Sequence, residues 1–108
     1  MKKENSTHSI NQEILNNFCE THKILSQITG RWKISLVLAL ENKTLHYSDF
    51  KQILPTITDR ILTKQLNELK NDAILINDKS KTESIYFLTE KGKKILQLLH
   101  YIKHLNLH

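Results

Sequence analysis

Leu54-Pro55 divides the stretch from His46 to Ile76, HYSDFKQILPTITDRILTKQLNELKNDAILI, into two helices that cannot be one. Proline lacks an N–H and disfavours α geometry in the residue before it. A helix carrying Tyr47, Phe50, Ile53 and Leu54 at helical spacing must therefore stop near Leu54. Thr58 is a good N-cap for a restart, and Asp59 in the next turn suits the positive end of the helix dipole. In this second helix Ile61, Leu62, Leu66 and Leu69 fall on one side at about 100° per residue. The other side collects Arg60, Thr63, Lys64, Asn67 and Asn71, with Asp59, Glu68 and Asp72 toward its flanks. Cations and amides grouped with the acids set aside suit phosphates and base edges. The pattern predicts two short helices, a tight turn and a face that reads DNA.

The remainder of the chain completes a plan around this pair. Ser9 and Gln12 resemble a capping box, opening a helix with Ile10, Ile14, Leu15, Phe18, Leu25 and Ile28 on one stripe. Thr29-Gly30 interrupts it. The next helix, Trp32 to Leu40, is apolar on most sides and reads as the central buried one. Ile74 to Asn77 and Ser84 to Leu88 read as strands of a hairpin joined through residues 78–82, the second rich in aromatic and β-branched side chains. Thr89 caps a last helix with Ile95, Leu98, Leu99, Ile102 and Leu105 on its apolar stripe. The expected fold is mainly α with a small β-hairpin (α+β), the winged helix-turn-helix plan. It is expected as a single DNA-binding domain over residues 1–108, with no internal repeat or linker.

Composition narrows the function. With 108 residues and 39% hydrophobic content the chain supports one modest core. Its net charge of +5 suits a polyanion, yet residues 49–83 carry as many acidic as basic side chains. Charge partition around the second helix, not net charge, carries the DNA reading. A single Cys excludes an intrachain disulfide and a Cys-based zinc cluster, which fits a reducing, cytoplasmic setting. No apolar run has membrane-spanning length, and the start MKKENSTHS lacks the apolar core of a signal peptide, so no membrane partner is expected. There is no Gly-rich phosphate loop, nucleophile elbow or paired-carboxylate motif, so no enzyme is expected. His100, His104 and His108 recur every fourth residue, and two at that spacing can share a metal. No Asp, Glu or Cys joins them, so a solvated or interface-edge role is the expectation, with no metal or cofactor.

Candidate contacts follow from the second helix. Arg60 is placed for a bidentate contact to guanine, Lys64 for a base or a phosphate, and Thr63 and Asn67 lie beside them. Thr58 can position a phosphate through its hydroxyl and the free N–H groups of the helix start. Gln65 points toward the core side. Lys79 and Lys81 at the hairpin tip are either phosphate or minor-groove contacts, or solvated turn lysines. The first and last helices carry more apolar surface than one small core covers, notably Ile10, Ile14, Leu98, Ile102 and Leu105. A homodimer is expected from that excess, although the two helices could instead cover each other within one chain. A two-fold dimer matches two half-sites about 10 base pairs apart, or a multiple of that.

From Cys19 to the C-terminus the chain resembles the HxlR-type transcriptional regulators, a winged-helix group related to MarR proteins. The resemblance lies in Cys19 thirteen positions before Trp32, the Gly30-Arg31-Trp32 turn, and Tyr47…Phe50…Ile53-Leu54-Pro55. It continues through Ile57-Thr58…Leu62-Thr63…Leu66…Leu69 and ends in Tyr86…Leu88-Thr89-Glu90…Gly92. It implies a homodimer that binds a palindromic operator in double-stranded DNA and regulates a neighbouring gene. Four features depart from the pattern. Glu20 replaces the Pro that follows the family's Cys, Thr56 stands where Gly often begins the turn, and Ala73 replaces the Gly that ends the reading helix. Asn71 or Asp72 is then expected to take the left-handed cap. The hairpin is also short and lacks the wing's Pro-Pro. The resemblance further implies a thiol sensor at Cys19, answering to a small oxidant or electrophile, where the residue alone reads as a small buried hydrophobe. Two other readings stay open: a winged-helix module that binds a protein, and a DNA binder for plasmid or phage maintenance.

Overall fold

A computed structural model describes residues 2–105, with side chains from residue 11 onward. The elements run α1 (Lys2–Ile28), α2 (Arg31–Ala39), β1 (Leu45–His46), α3 (Tyr47–Ile53), α4 (Asp59–Asn71), β2 (Leu75–Lys79), β3 (Ser84–Leu88) and α5 (Glu90–Lys103). The strands form one antiparallel sheet in the order β1-β3-β2. Helix–turn–helix followed by a hairpin is the winged-helix plan, with five helices as expected.

The core is built where the helical and strand patterns meet. Leu36 and Val37 of α2, with its C-cap Leu40, pack with Phe50, Leu62, Leu66, Leu69, Leu75, Leu88 and Ile95. The rings of Tyr86 and Phe50 meet nearly at right angles, with centroids 5.6 Å apart. The α3–α4 junction forms as the proline requires. Leu54 leaves the α region at φ −121°, ψ 73°, and Thr58 caps α4 by accepting the Ile61 N–H at 3.2 Å. Thr89 likewise caps α5, accepting the Gly92 N–H at 3.0 Å.

Several expectations are corrected. A third strand, β1, pairs Leu45 with Tyr86 and His46 with Ile85; two residues are too few to show a period of two. Strand β2 begins at Leu75 rather than Ile74 and extends to Lys79. The Ile74 N–H is already spent closing α4 on the Leu69 carbonyl at 2.9 Å, while the Ala73 N–H reaches the Lys70 carbonyl at 3.0 Å. These two bonds make a Schellman cap, and Ala73 itself takes its left-handed position at φ 61°; Asp72 stays at φ −88°. Helix α2 is not buried all round, because Ile34 and Leu38 are exposed while Leu36 and Val37 are fully buried. Helix α1 does not begin at Ser9. It runs from Lys2 through a stretch with neither Gly nor Pro to break it.

The terminal helices carry the largest correction. Every described side chain from residue 11 to residue 26 of α1 is exposed, and only Ile28 joins the core. Ile14 is 59% and Phe18 62% exposed, and Ile102 of α5 is 49% exposed, with Leu98 and Leu105 also open. The two helices therefore do not cover each other within one chain. Cys19 is exposed as well, so it is not a buried packing residue of the protomer. The side chain of Ile10, and His108, lie outside the described residues.

Candidate nucleic-acid interface

Helix α4 presents its polar face as the sequence pattern requires. Leu62, Leu66 and Leu69 are buried, Gln65 is half-buried toward the core, and Thr58, Arg60, Thr63, Lys64, Asn67 and Asn71 are exposed. Arg60 and Lys64 stand one turn apart and form no ion pair among the described residues. Above them, the N–H groups of Asp59 and Arg60 have no intrahelical acceptor, the usual condition of a helix start. The Thr58 hydroxyl accepts from Ile61 and retains its own proton.

The two acids of this helix are each held by a lysine from another element. Lys33 of α2, its side chain almost buried, places its ammonium 2.7 Å from Glu68 Oε1. That hydrogen bond holds the Glu68 carboxyl below the usual carboxylate range. Lys51 of α3 lies 2.8 Å from Asp59 Oδ1 and also donates to the Ile57 carbonyl at 3.1 Å. Lys51 lowers the Asp59 pKa, and the Tyr47 hydroxyl adds to it. Both pairs are partly exposed, so they add little stability. Their consequence is electrostatic: an approaching phosphate meets Arg60 and Lys64 beside carboxylates whose charge is already compensated. The sequence placed both acids on the flanks; their lysine partners were not legible, because each lies on a different helix.

Tyr47 shows the same gap. Helical spacing assigns it to the apolar residues of α3, yet its hydroxyl reaches α4, 3.1 Å from Thr63 Oγ1 and 3.3 Å from Asp59 Oδ1.

The hairpin tip is short and well braced. The Ser80 N–H donates to the Glu83 carbonyl at 2.8 Å, and the Ser80 hydroxyl oxygen accepts from the Glu83 N–H at 3.1 Å. Lys79 and Lys81 are both exposed on this turn. The hairpin is also tied to the helix pair, because His46, the N-cap of α3, places Nε2 2.9 Å from Glu83 Oε1 and Nδ1 3.4 Å from Asp49 Oδ2.

At the other end of the chain, His100 Nε2 lies 3.1 Å from Glu41 Oε2, and His104 Nδ1 lies 2.7 Å from the His100 carbonyl. Among the described residues no three His, Cys, Asp or Glu side chains converge on a point that could hold a metal.

The sequence of residues 27–107 matches the HxlR-like helix-turn-helix family. The chain belongs to that family. Its members are transcriptional regulators that bind DNA, and the helix-turn-helix described above is the element that gives the family its name. An HTH-type transcriptional regulator of Methanothermobacter thermautotrophicus is 30% identical over 84 residues, covering 75% of this chain and 64% of its own length. The chain thus spans under two thirds of that relative. Among solved structures, the redox regulator HypR in its oxidized form superposes with a TM-score of 0.73 at 29% identity, over 83% of this chain and 99% of that one. A MarR-family regulator from Enterococcus faecalis V583 superposes with a TM-score of 0.76 at 28% identity, over 80% and 81% of the two chains. The HxlR-like assignment fixes the winged-helix fold and the regulatory class.

Proposed function

We propose that this HxlR-like regulator acts in the cytoplasm as a homodimer on a palindromic operator, laying α4 of each protomer in the major groove of one half-site. The observation that carries the reading is the polar face of α4. Arg60, Thr63, Lys64 and Asn67 are exposed together while Lys33 and Lys51 hold the helix's own acids. Arg60 contacts a guanine edge, Lys64 a base or a phosphate, and Thr58 with the free N–H groups of the helix start a phosphate. Lys79 and Lys81 extend these contacts from the hairpin to the flanking backbone. The unit is one domain of residues 1–108 whose terminal helices pair with those of a second copy through Ile10, Ile14, Leu98, Ile102 and Leu105. Exposed apolar side chains along α1 and α5 support that pairing. The arrangement of Arg60, Thr63 and Lys64 favours DNA over a protein partner, because it sets cations beside a group that can read base edges.

Selection of bound sequences from random duplex DNA tests the proposal. The expected product is an inverted repeat whose half-sites are spaced by about one helical turn or a multiple. Enrichment of no sequence, with equal affinity for every duplex, overturns it. Recovery of an iterated array in place of a single inverted repeat favours a maintenance role over promoter control.

Redox control rests on a separate observation. Cys19 is exposed on the uncovered face of α1, and the HypR structure is described as that of a redox regulator. With one thiol per chain, the products available are an intersubunit disulfide, a mixed disulfide with a small thiol, or a sulfenic acid.

A further inference from the structure

The geometry points to Tyr47 as a specificity-determining partner of the reading helix: its phenol oxygen accepts the hydrogen bond that the Thr63 hydroxyl donates, so Thr63 meets DNA as a hydrogen-bond acceptor only. The inference rests on the DNA-binding reading above and adds the class of base selected, one bearing an exocyclic amino group.

Tyr47 opens α3, and its hydroxyl oxygen lies 3.1 Å from Thr63 Oγ1, 3.2 Å from the Asp59 carbonyl oxygen and 3.3 Å from Asp59 Oδ1. One phenolic proton serves this set. The Asp59 carboxylate and carbonyl can only accept, and Lys51, 2.8 Å from Oδ1, fixes the carboxylate in place. Hydrogen bonds to an ionised acceptor are the stronger ones, so the phenolic proton goes to Asp59. The lone pairs of the phenol then accept from Thr63. A hydroxyl has one donor hydrogen and two acceptor sites. With its hydrogen turned inward to Tyr47, the exposed side of Thr63 Oγ1 carries lone pairs alone.

In the major groove, adenine N6 and cytosine N4 present donors, whereas guanine O6 and thymine O4 present acceptors. Thr63 therefore favours adenine over guanine, or cytosine over thymine, at the base it faces. A threonine free to rotate would serve either kind equally.

The test measures affinities of the full chain for its selected operator and for symmetric variants carrying A-to-G or C-to-T changes at each half-site position. The wild type should discriminate at one position by about three- to tenfold in favour of the amino base. Tyr47→Phe keeps the ring but frees the Thr63 hydroxyl. It should bring discrimination there below about twofold, with other positions and the salt slope unchanged. Thr63→Val, on the exposed face, should flatten the same position, and the double variant should match either single one. Equal weakening of every duplex by Tyr47→Phe would make Tyr47 a structural residue and overturn the inference. A Thr63→Val profile identical to the wild type overturns it too, and decides the matter if Tyr47→Phe fails to fold. A wild type that cannot tell operator from scrambled duplex overturns the DNA reading itself, and that failure is visible before any variant is made.

Discussion

The carbonyl oxygen of Ile74 lies against the Cα of Gly92, in the space that a Cβ at residue 92 would occupy. The same oxygen accepts the Thr89 N–H at 3.1 Å and the Thr89 hydroxyl at 3.0 Å, so the first turn of α5 is laced to the residue that ends the α4 cap. Gly92 is required here for close approach. Gly92→Ala is expected to destabilise the fold by about 2–3 kcal/mol, because the obstacle is backbone and cannot rotate away. Denaturant unfolding at one fixed protein concentration checks it, since dimerisation would make stability depend on concentration. A loss within about 0.5 kcal/mol would show that α5 shifts freely over the sheet.

His46 couples the hairpin to the helix pair in a pH-dependent way. Both ring nitrogens face carboxylates, and the hydrogen bonds to Glu83 and then Asp49 raise the imidazole pKa above its ordinary value. A folded-state pKa above the unfolded one gives stabilisation that is complete below about pH 6.5 and is lost as pH rises through the folded value. Against His46→Gln, the wild type should show its largest stability advantage near about pH 5.5 and lose it by about pH 8.5. The group is exposed, so the advantage is small. A gap that does not change with pH would show that the neutral ring alone makes the contact.

Local chemistry made parts of this fold legible. Pro55 fixed the end of α3, while Thr58 and Thr89 marked two helix starts because each side chain caps a turn of its own chain neighbourhood. The exposed face of α4 was legible for the same reason, a period of 3.6 read over thirteen residues. Strand β1 was not, because its pairing partner at Tyr86 lies far along the chain. Nor were the Tyr47–Thr63 contact and the Lys33–Glu68 and Lys51–Asp59 pairs, each joining two helices whose relative placement no local pattern encodes. The left-handed cap fell to Ala73 against its side chain's preference because the cap position is set by hydrogen bonds to Lys70 and Leu69.

Arg60 stands on the open face of α4 with no acidic partner among the described residues. Arg60→Ala is expected to cost about 1–3 kcal/mol on the specific operator and to relax one base position. Lys64→Ala should either do the same or lower only the salt slope, by about one unit, if its contact is a phosphate. Titrations on operator and scrambled duplex at several salt concentrations separate these outcomes. Equal loss on both duplexes for Arg60→Ala would make Arg60 a phosphate contact.

Ile14 and Phe18 on α1, with Leu98 and Ile102 on α5 and Leu105 just beyond its end, expose an apolar surface that a second copy of the chain would cover. Placing a charge on it, as in Phe18→Asp, should shift the chain to monomer in sedimentation experiments, with operator affinity falling as the second half-site is lost. Removing residues from Leu98 onward should do the same or yield insoluble protein. A wild-type chain that sediments as a monomer at micromolar concentration would refute the dimer.

Cys19 is exposed on α1, next in the chain to Phe18, whose ring stacks on His22 with centroids 5.5 Å apart. If α1 lies at the protomer boundary, an adduct on the thiol must push the protomers apart or rotate one against the other. Either motion changes the separation of the two α4 helices, and the duplex fixes what that separation has to be. A mild oxidant or a quinone should therefore weaken operator binding. Reductant should restore it where the product is a disulfide or a sulfenic acid. Cys19→Ser should bind DNA like the wild type and ignore the treatment. Gel-shift titrations across an oxidant series, run on both proteins, measure this directly. Identical responses from wild type and Cys19→Ser would assign the thiol no sensing role and place any effector elsewhere on the chain.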